Sequence, residues 1–127
     1  MAVKSLVQKL VLKSNTTFVL LNAPDGYLEL LGKLPEGVSI HKQLVPEADI
    51  IQFFTTKRSD LEGQLPLLKK ALKPKGILWI SYPKGTSGLP TDLSREIIWR
   101  MGEPLKLRAV GMVAVDHIWS VFRFKIE

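Results

Sequence analysis

The stretch from Leu67 to Ser81, LLKKALKPKGILWIS, decides the fold. Its first half completes an apolar stripe of Leu61, Leu65, Leu68 and Leu72, the three- and four-residue spacing of one helix face. Lys73-Pro74-Lys75-Gly76 then brings the residues that stop a helix: cations for its negative end, a proline that cannot continue it, and a glycine. Ile77 to Tyr82 follows as a nearly continuous apolar run, the pattern of a strand covered on both faces. A helix passing straight into a buried strand is half of a βαβ unit, so the sheet is expected to be mainly parallel.

Working upstream, Ser59 and Glu62 predict a capping box for this helix, and Pro66 predicts a kink inside it. Asp49 to Thr55, with Ile50-Ile51-Gln52-Phe53-Phe54 at its centre, reads as a second buried strand. Val38, Ile40 and Lys42 alternate with Ser39, His41 and Gln43, the pattern of a strand near the sheet edge. Thr16 to Ala23 reads as the first buried strand. Pro24, Asp25 and Gly26 break it, and Asp25 is the expected N-cap of a short helix from Tyr27 to Leu34. Lys4 to Val11 has the spacing of a short amphipathic helix. Downstream, Pro83 to Pro90 is a loop. Thr91 or Asp92 is expected to cap a helix that ends at Met101 and turns Leu93, Ile97 and Met101 inward. Leu107 to Val115 and Trp119 to Lys125 are strands joined by Asp116-His117-Ile118, too tight a join for a crossover, so they pair as an antiparallel hairpin. The expected architecture is one α/β, Rossmann-like domain over residues 1–127 with six strands in the spatial order 2-1-3-4-6-5.

Composition narrows the function classes. The 127 residues include no cysteine, which excludes disulfides, thiolate catalysis and zinc–thiolate sites. No apolar run approaches the length of a membrane span, and Lys4, Lys9 and Lys13 interrupt any signal-peptide core, so a cytoplasmic protein without membrane attachment is expected. The net charge of +6 leaves nucleic acid open as a partner. Its densest run includes Lys69, Lys70, Lys73 and Lys75 at a helix end, where cations have a structural reason.

A mainly parallel α/β sheet closed by an antiparallel hairpin resembles the class I S-adenosylmethionine-dependent methyltransferases, with Leu67 to Ser81 similar to the stretch that enters their fifth strand. A second resemblance runs from end to end. Asn22-Ala23-Pro24-Asp25-Gly26-Tyr27, Ser81-Tyr82-Pro83-Lys84-Gly85-Thr86-Ser87 with Thr91-Asp92-Leu93, and Val115-Asp116 followed by Trp119-Ser120 resemble a family of short bacterial proteins known as a domain of unknown function. That resemblance implies bacterial origin and this fold, and it supplies no activity.

The methyltransferase resemblance implies a glycine-rich turn after the first strand, an acidic residue after the second for the ribose hydroxyls, and a D-P-P-Y or N-P-P-Y motif where amines are methylated. Here the turn is Asn22 to Tyr27, with one glycine and with Pro24 removing an N–H donor. The second strand leads into His41-Lys42-Gln43-Leu44, with Glu47 beyond, and the third into Thr55-Thr56-Lys57-Arg58. All three signatures are missing, so neither S-adenosylmethionine nor any other cofactor is expected.

His41 and His117 stand apart without acidic companions and read as surface or turn residues. A triad of Ser81 or Ser87 with His117 and Asp92 lacks the G-x-S-x-G elbow that exposes a nucleophile. No P-loop and no metal cluster is present, and no catalytic residue is assigned. Trp79 and Trp119 read as packing residues, and Trp99 as the tryptophan facing outward.

Ligands of open α/β sheets bind at the carboxyl ends of the strands. The loop Lys84-Gly85-Thr86-Ser87-Gly88 offers one cation, two hydroxyls and two glycine N–H groups there. Asn22 and Asp25 stand at the same end of the first strand. The candidate ligand-binding residues are therefore Asn22, Asp25, Lys84, Thr86 and Ser87, lining one shared crevice. The expected function is a non-catalytic or ligand-sensing domain that takes a small anionic molecule. The alternatives are a divergent transferase using the same crevice and a basic nucleic-acid accessory protein.

Overall fold

A computed structural model describes residues 5–127. Lys4, where the first helix was expected to begin, lies outside them. In chain order the elements are α1 (Leu6–Lys9), β1 (Thr17–Leu21), α2 (Tyr27–Leu31), β2 (Ser39–His41), β3 (Ala48–Phe54), α3 (Arg58–Ala71), β4 (Leu72–Pro83), α4 (Arg95–Gly102), β5 (Leu107–Ala114) and β6 (Trp119–Ile126). They form one six-stranded sheet in the order β2-β1-β3-β4-β6-β5. The first four strands run parallel, and β6 pairs antiparallel with both β4 and β5. This is the Rossmann-like α/β sheet and the strand order that the sequence pattern predicts.

The strands bury both faces because their side chains alternate between two cores. Ile51 and Phe53 of β3 face α3 and α4, where Leu61, Leu65 and Leu68 are nearly or wholly buried, each contributing about 1.5–3 kcal/mol on leaving water. Ile50 and Phe54 face the other way and pack with Trp79, Tyr27, Leu31 and Leu10. The Trp79 indole N–H donates to the Leu10 carbonyl at 3.0 Å and pins the end of α1 to the sheet. Arg123 of β6 lies 5.6 Å from the centre of the Trp79 ring, and its buried Nε has no hydrogen-bond partner among the described residues; the ring face supplies a compensating attraction. At the amino ends of the strands, Asp49 accepts from the Thr17 N–H at 2.8 Å and from Lys73 at 2.9 Å. Partial burial pushes its carboxyl up, but these two donors outweigh that and hold it below the ordinary aspartate range.

Local capping differs from the sequence pattern at three places. Helix α3 starts at Arg58 with Lys57 at the cap position and no side-chain cap of its own. Glu62 pairs with Arg58 at 3.0 Å in place of the expected capping box with Ser59. The open N–H of Arg58 is taken by Asp92, from a distant loop, at 2.7 Å. With Asp92 committed there and Thr91 donating to the Thr56 carbonyl at 2.7 Å, α4 begins three residues later, and Ser94 caps it through the Ile97 N–H. Ile98 is the fully buried residue of α4, with Ile97 and Met101 partly buried beside it, and Leu93 is buried ahead of the helix. At α2 the cap position is Gly26, not Asp25, and no side chain closes it. Lys73 to Gly76 belongs to an irregular start of β4, where Gly76 presses against Leu72 so closely that a Cβ would meet it at 2.6 Å.

Candidate functional site

Strand β1 ends in a turn that only particular residues tolerate. Asn22 takes the left-handed conformation at φ 59°, which asparagine adopts more readily than most residues. Gly26 follows at φ 82°, and Tyr27 N–H closes the turn on the Pro24 carbonyl at 3.1 Å. The chain thus swings away from the sheet and leaves a cavity of about 390 Å³, within the size range of small-molecule sites. Asn22, Asp25, Gly26 and Glu29 line it on the turn side, and Lys42, just beyond β2, lines it from the neighbouring strand. On its other side Asn22 also borders a second cavity of about 440 Å³, with Leu21, Leu44, Phe53, Asp60 and Gln64.

A buried polar chain lies next to the first cavity. Tyr27 donates its hydroxyl to Gln52 Oε1 at 2.9 Å, and Gln52 Nε2 donates to Ser81 Oγ at 3.0 Å. Gln52 and Ser81 are both fully buried, so each needs the partner it has. Burial raises the Tyr27 phenol well above its ordinary pKa; the Gln52 hydrogen bond lowers it in part, and the nearby Asp116 charge raises it further. Tyr27 is therefore a neutral hydrogen-bond donor and not a base. Its ring stands edge-on to Phe54 at 4.8 Å, and Phe54 to Trp119 at 5.1 Å, which ties the turn after β1 to the start of β6.

The loop after β4 is organised differently. Lys84 N–H donates to the Ile118 carbonyl at 2.7 Å, Ser87 N–H to the Lys84 carbonyl at 3.0 Å, and Leu89 N–H to Ser87 Oγ at 3.1 Å. Asp116 holds the facing turn by accepting from the N–H groups of Ile118 and Trp119, both at 2.8 Å. Of the five residues read from the sequence, Asn22 and Asp25 come together in one cavity. Lys84, Thr86 and Ser87 do not line it, nor the second cavity that borders Asn22. Sequence reasoning missed Lys42 and Glu29. The signal for Lys42 was its distance, twenty positions beyond Asn22, about the spacing at which a βαβ unit returns the chain to the end of its first strand.

Among the described residues no group of three or more His, Asp or Glu is placed to hold a metal ion, and no helix is long and apolar enough to cross a membrane. Trp99 is 46% exposed on α4, whereas Trp79 is buried and Trp119 partly so.

The chain matches no protein-family model and no curated protein. Its fold is similar to solved structures of methyltransferases. A SAM-dependent methyltransferase from Aquifex aeolicus superposes with a TM-score of 0.67 at 17% identity, over 93% of this chain and 86% of that one. The TehB-like SAM-dependent methyltransferase of Corynebacterium glutamicum gives 0.57 at 12% identity, over 90% and 82%. The ribosomal protein L11 methylase of Lactobacillus delbrueckii subsp. bulgaricus gives 0.62 at 12%, over 95% and 74%. The chain thus has the Rossmann-like methyltransferase fold. Identities this low carry the fold and not the chemistry.

Proposed function

We propose that this chain is a non-catalytic, ligand-sensing domain on a methyltransferase-like scaffold, and that it takes a small anionic molecule in the cavity at the carboxyl end of β1. The observation that carries the reading is the meeting of Asn22 and Asp25 with the Lys42 ammonium in one cavity of about 390 Å³. Two features argue against methyl transfer from S-adenosylmethionine. Pro24 removes a backbone donor from the turn that would hold the cofactor. Lys42 brings a cation to the end of β2, where the methyltransferase resemblance implies a carboxylate.

A thermal-shift screen of metabolites against the whole chain tests the reading, because a ligand that binds only the folded state raises its stability. We expect anionic compounds among the stabilisers. Calorimetric titration should find S-adenosylmethionine binding weaker than about 10 μM, roughly −7 kcal/mol. Tighter binding would favour the second reading, a divergent transferase, which the structural likeness to methyltransferases supports.

A further inference from the structure

We propose that the chain pairs with a second copy of itself through helix α4 and the free edge of β5, about a two-fold axis that passes beside Trp99. The two edges of the sheet differ. Strand β2 closes one edge with three residues. Strand β5 closes the other with eight, pairs with β6 alone among the described residues, and leaves Arg108 to Met112 exposed in an unbroken run. Val110 and Met112 are apolar side chains open to water there. A long apolar edge invites another strand, and proteins blunt such edges with charge or with bulges. Here the blunting is confined to the first half of the strand, at Arg108 and at the irregularity between Ala109 and Gly111. Gly111 to Ala114 run in regular register beyond it.

Helix α4 carries the matching surface, and its charges identify the occupant as another copy. Ile97, Arg100 and Met101 border a cavity shared with Arg58 of α3. Trp99 lies on the β5 side of the helix, lining a cavity of about 370 Å³ with Arg95, Ala109 and Phe122. Arg95, Trp99 and Glu103 are spaced by four and share one helix face, since Glu103 keeps helical dihedrals at the end of α4. All three are exposed, and neither charge forms an ion pair among the described residues. The stripe is a palindrome in charge, with an arginine and a glutamate equidistant from a tryptophan. When two copies of α4 lie antiparallel with the tryptophans at the centre, each Arg95 faces the Glu103 of the other copy. A two-fold axis demands a self-complementary patch of this kind, and a partner of unrelated sequence does not. The same axis runs the two β5 edges antiparallel. A register centred on Gly111 then sets Val110 of one copy opposite Met112 of the other, an apolar cross-strand pair formed twice.

The test is sedimentation equilibrium of the full chain. A dimer of twice its 14.3 kDa should form at protein concentrations of about 100 μM or below. Trp99→Ala should raise the dimer's dissociation constant at least about tenfold, because a central tryptophan dominates contacts of this kind. Arg95→Glu and Glu103→Arg should each raise it about tenfold, since like charges then face one another in both pairs. The double variant Arg95→Glu/Glu103→Arg restores opposite charges and should recover the parental dimer. Met112→Lys should weaken the dimer as well, by placing a charge on the free edge. All four positions are exposed, so thermal melts of the variants, diluted until monomeric, should match the parent. A chain that is monomeric at about 100 μM, a dimer indifferent to any of the single variants, or a double variant as weak as the single charge reversals would overturn the proposal. Growth beyond a dimer would do so too, since a two-fold patch closes at two copies.

Discussion

The turn after β1 and the loop after β4 occupy equivalent places at the carboxyl edge of the same parallel sheet, yet they spend their polar groups in opposite ways. After β1, Asn22, Asp25 and Glu29 border open space together with Lys42. After β4, the backbone of Lys84, the hydroxyls of Ser87 and Thr91 and the carboxylate of Asp92 are tied to the β6 turn, to the loop itself and to the start of α3. A strand end becomes a ligand site only where its polar groups are not already needed to satisfy the backbone around it. Gln52, on the strand between them, joins the two regions through Tyr27 and Ser81.

Breaking that join should have the largest effect. Gln52→Ala leaves the Tyr27 and Ser81 hydroxyls without their partner and opens a void, so denaturant unfolding should show a loss of about 2–4 kcal/mol. A loss below about 1 kcal/mol would mean that the two ends are held independently.

Next comes a pair of glycines, one in each region. Gly26 has φ 82°, and Gly85 shows no left-handed φ and has open space where a Cβ would stand. Gly26→Ala should cost about 1–2 kcal/mol, and Gly85→Ala should stay within about 0.5 kcal/mol of the parent. Equal costs, read from thermal unfolding, would remove the backbone contrast between the regions.

A smaller effect tests whether the β4 loop is structural. Asp92→Ala should destabilise by about 1 kcal/mol because the first N–H of α3 loses its acceptor, whereas Ser59→Ala should change stability by less than about 0.5 kcal/mol. The reverse ranking in denaturant melts would restore Ser59 as the cap.

The smallest effects belong to Lys84→Ala and Thr86→Ala, each expected within about 0.5 kcal/mol of the parent in stability. Neither residue lines the cavity, so titration with the ligand found by screening should give parental affinity in both variants. A loss of about tenfold in either would bring the two strand ends into one site.

Much of this was legible in the residues alone, and the reason is local. The leucines from Leu61 to Leu72, the apolar runs at Phe18 to Leu21, Ile50 to Phe54 and Ile77 to Tyr82, and the short join at Asp116 to Ile118 each state their own period or reach. Helix, strand and hairpin follow from them, and so do the parallel sheet and its strand order, because right-handed crossovers leave few arrangements. Asn22 and Asp25 were legible as candidates for the same reason, since a turn at a parallel strand's end is where ligands of such sheets sit.

Only the tertiary structure decided which polar groups were committed elsewhere. Ser59 and Glu62 have the spacing of a capping box, but Asp92, thirty-four positions beyond Arg58, reaches the helix start and takes that role. Asp25 stands before a helix, yet the turn places Gly26 at the cap and leaves Asp25 lining a cavity. Lys42 reads in sequence as part of an edge strand and in space as a cation lining that cavity. A side chain's spacing along the chain sets what it is able to reach locally. The competition among distant donors and acceptors, resolved when the sheet assembles, sets what it does reach.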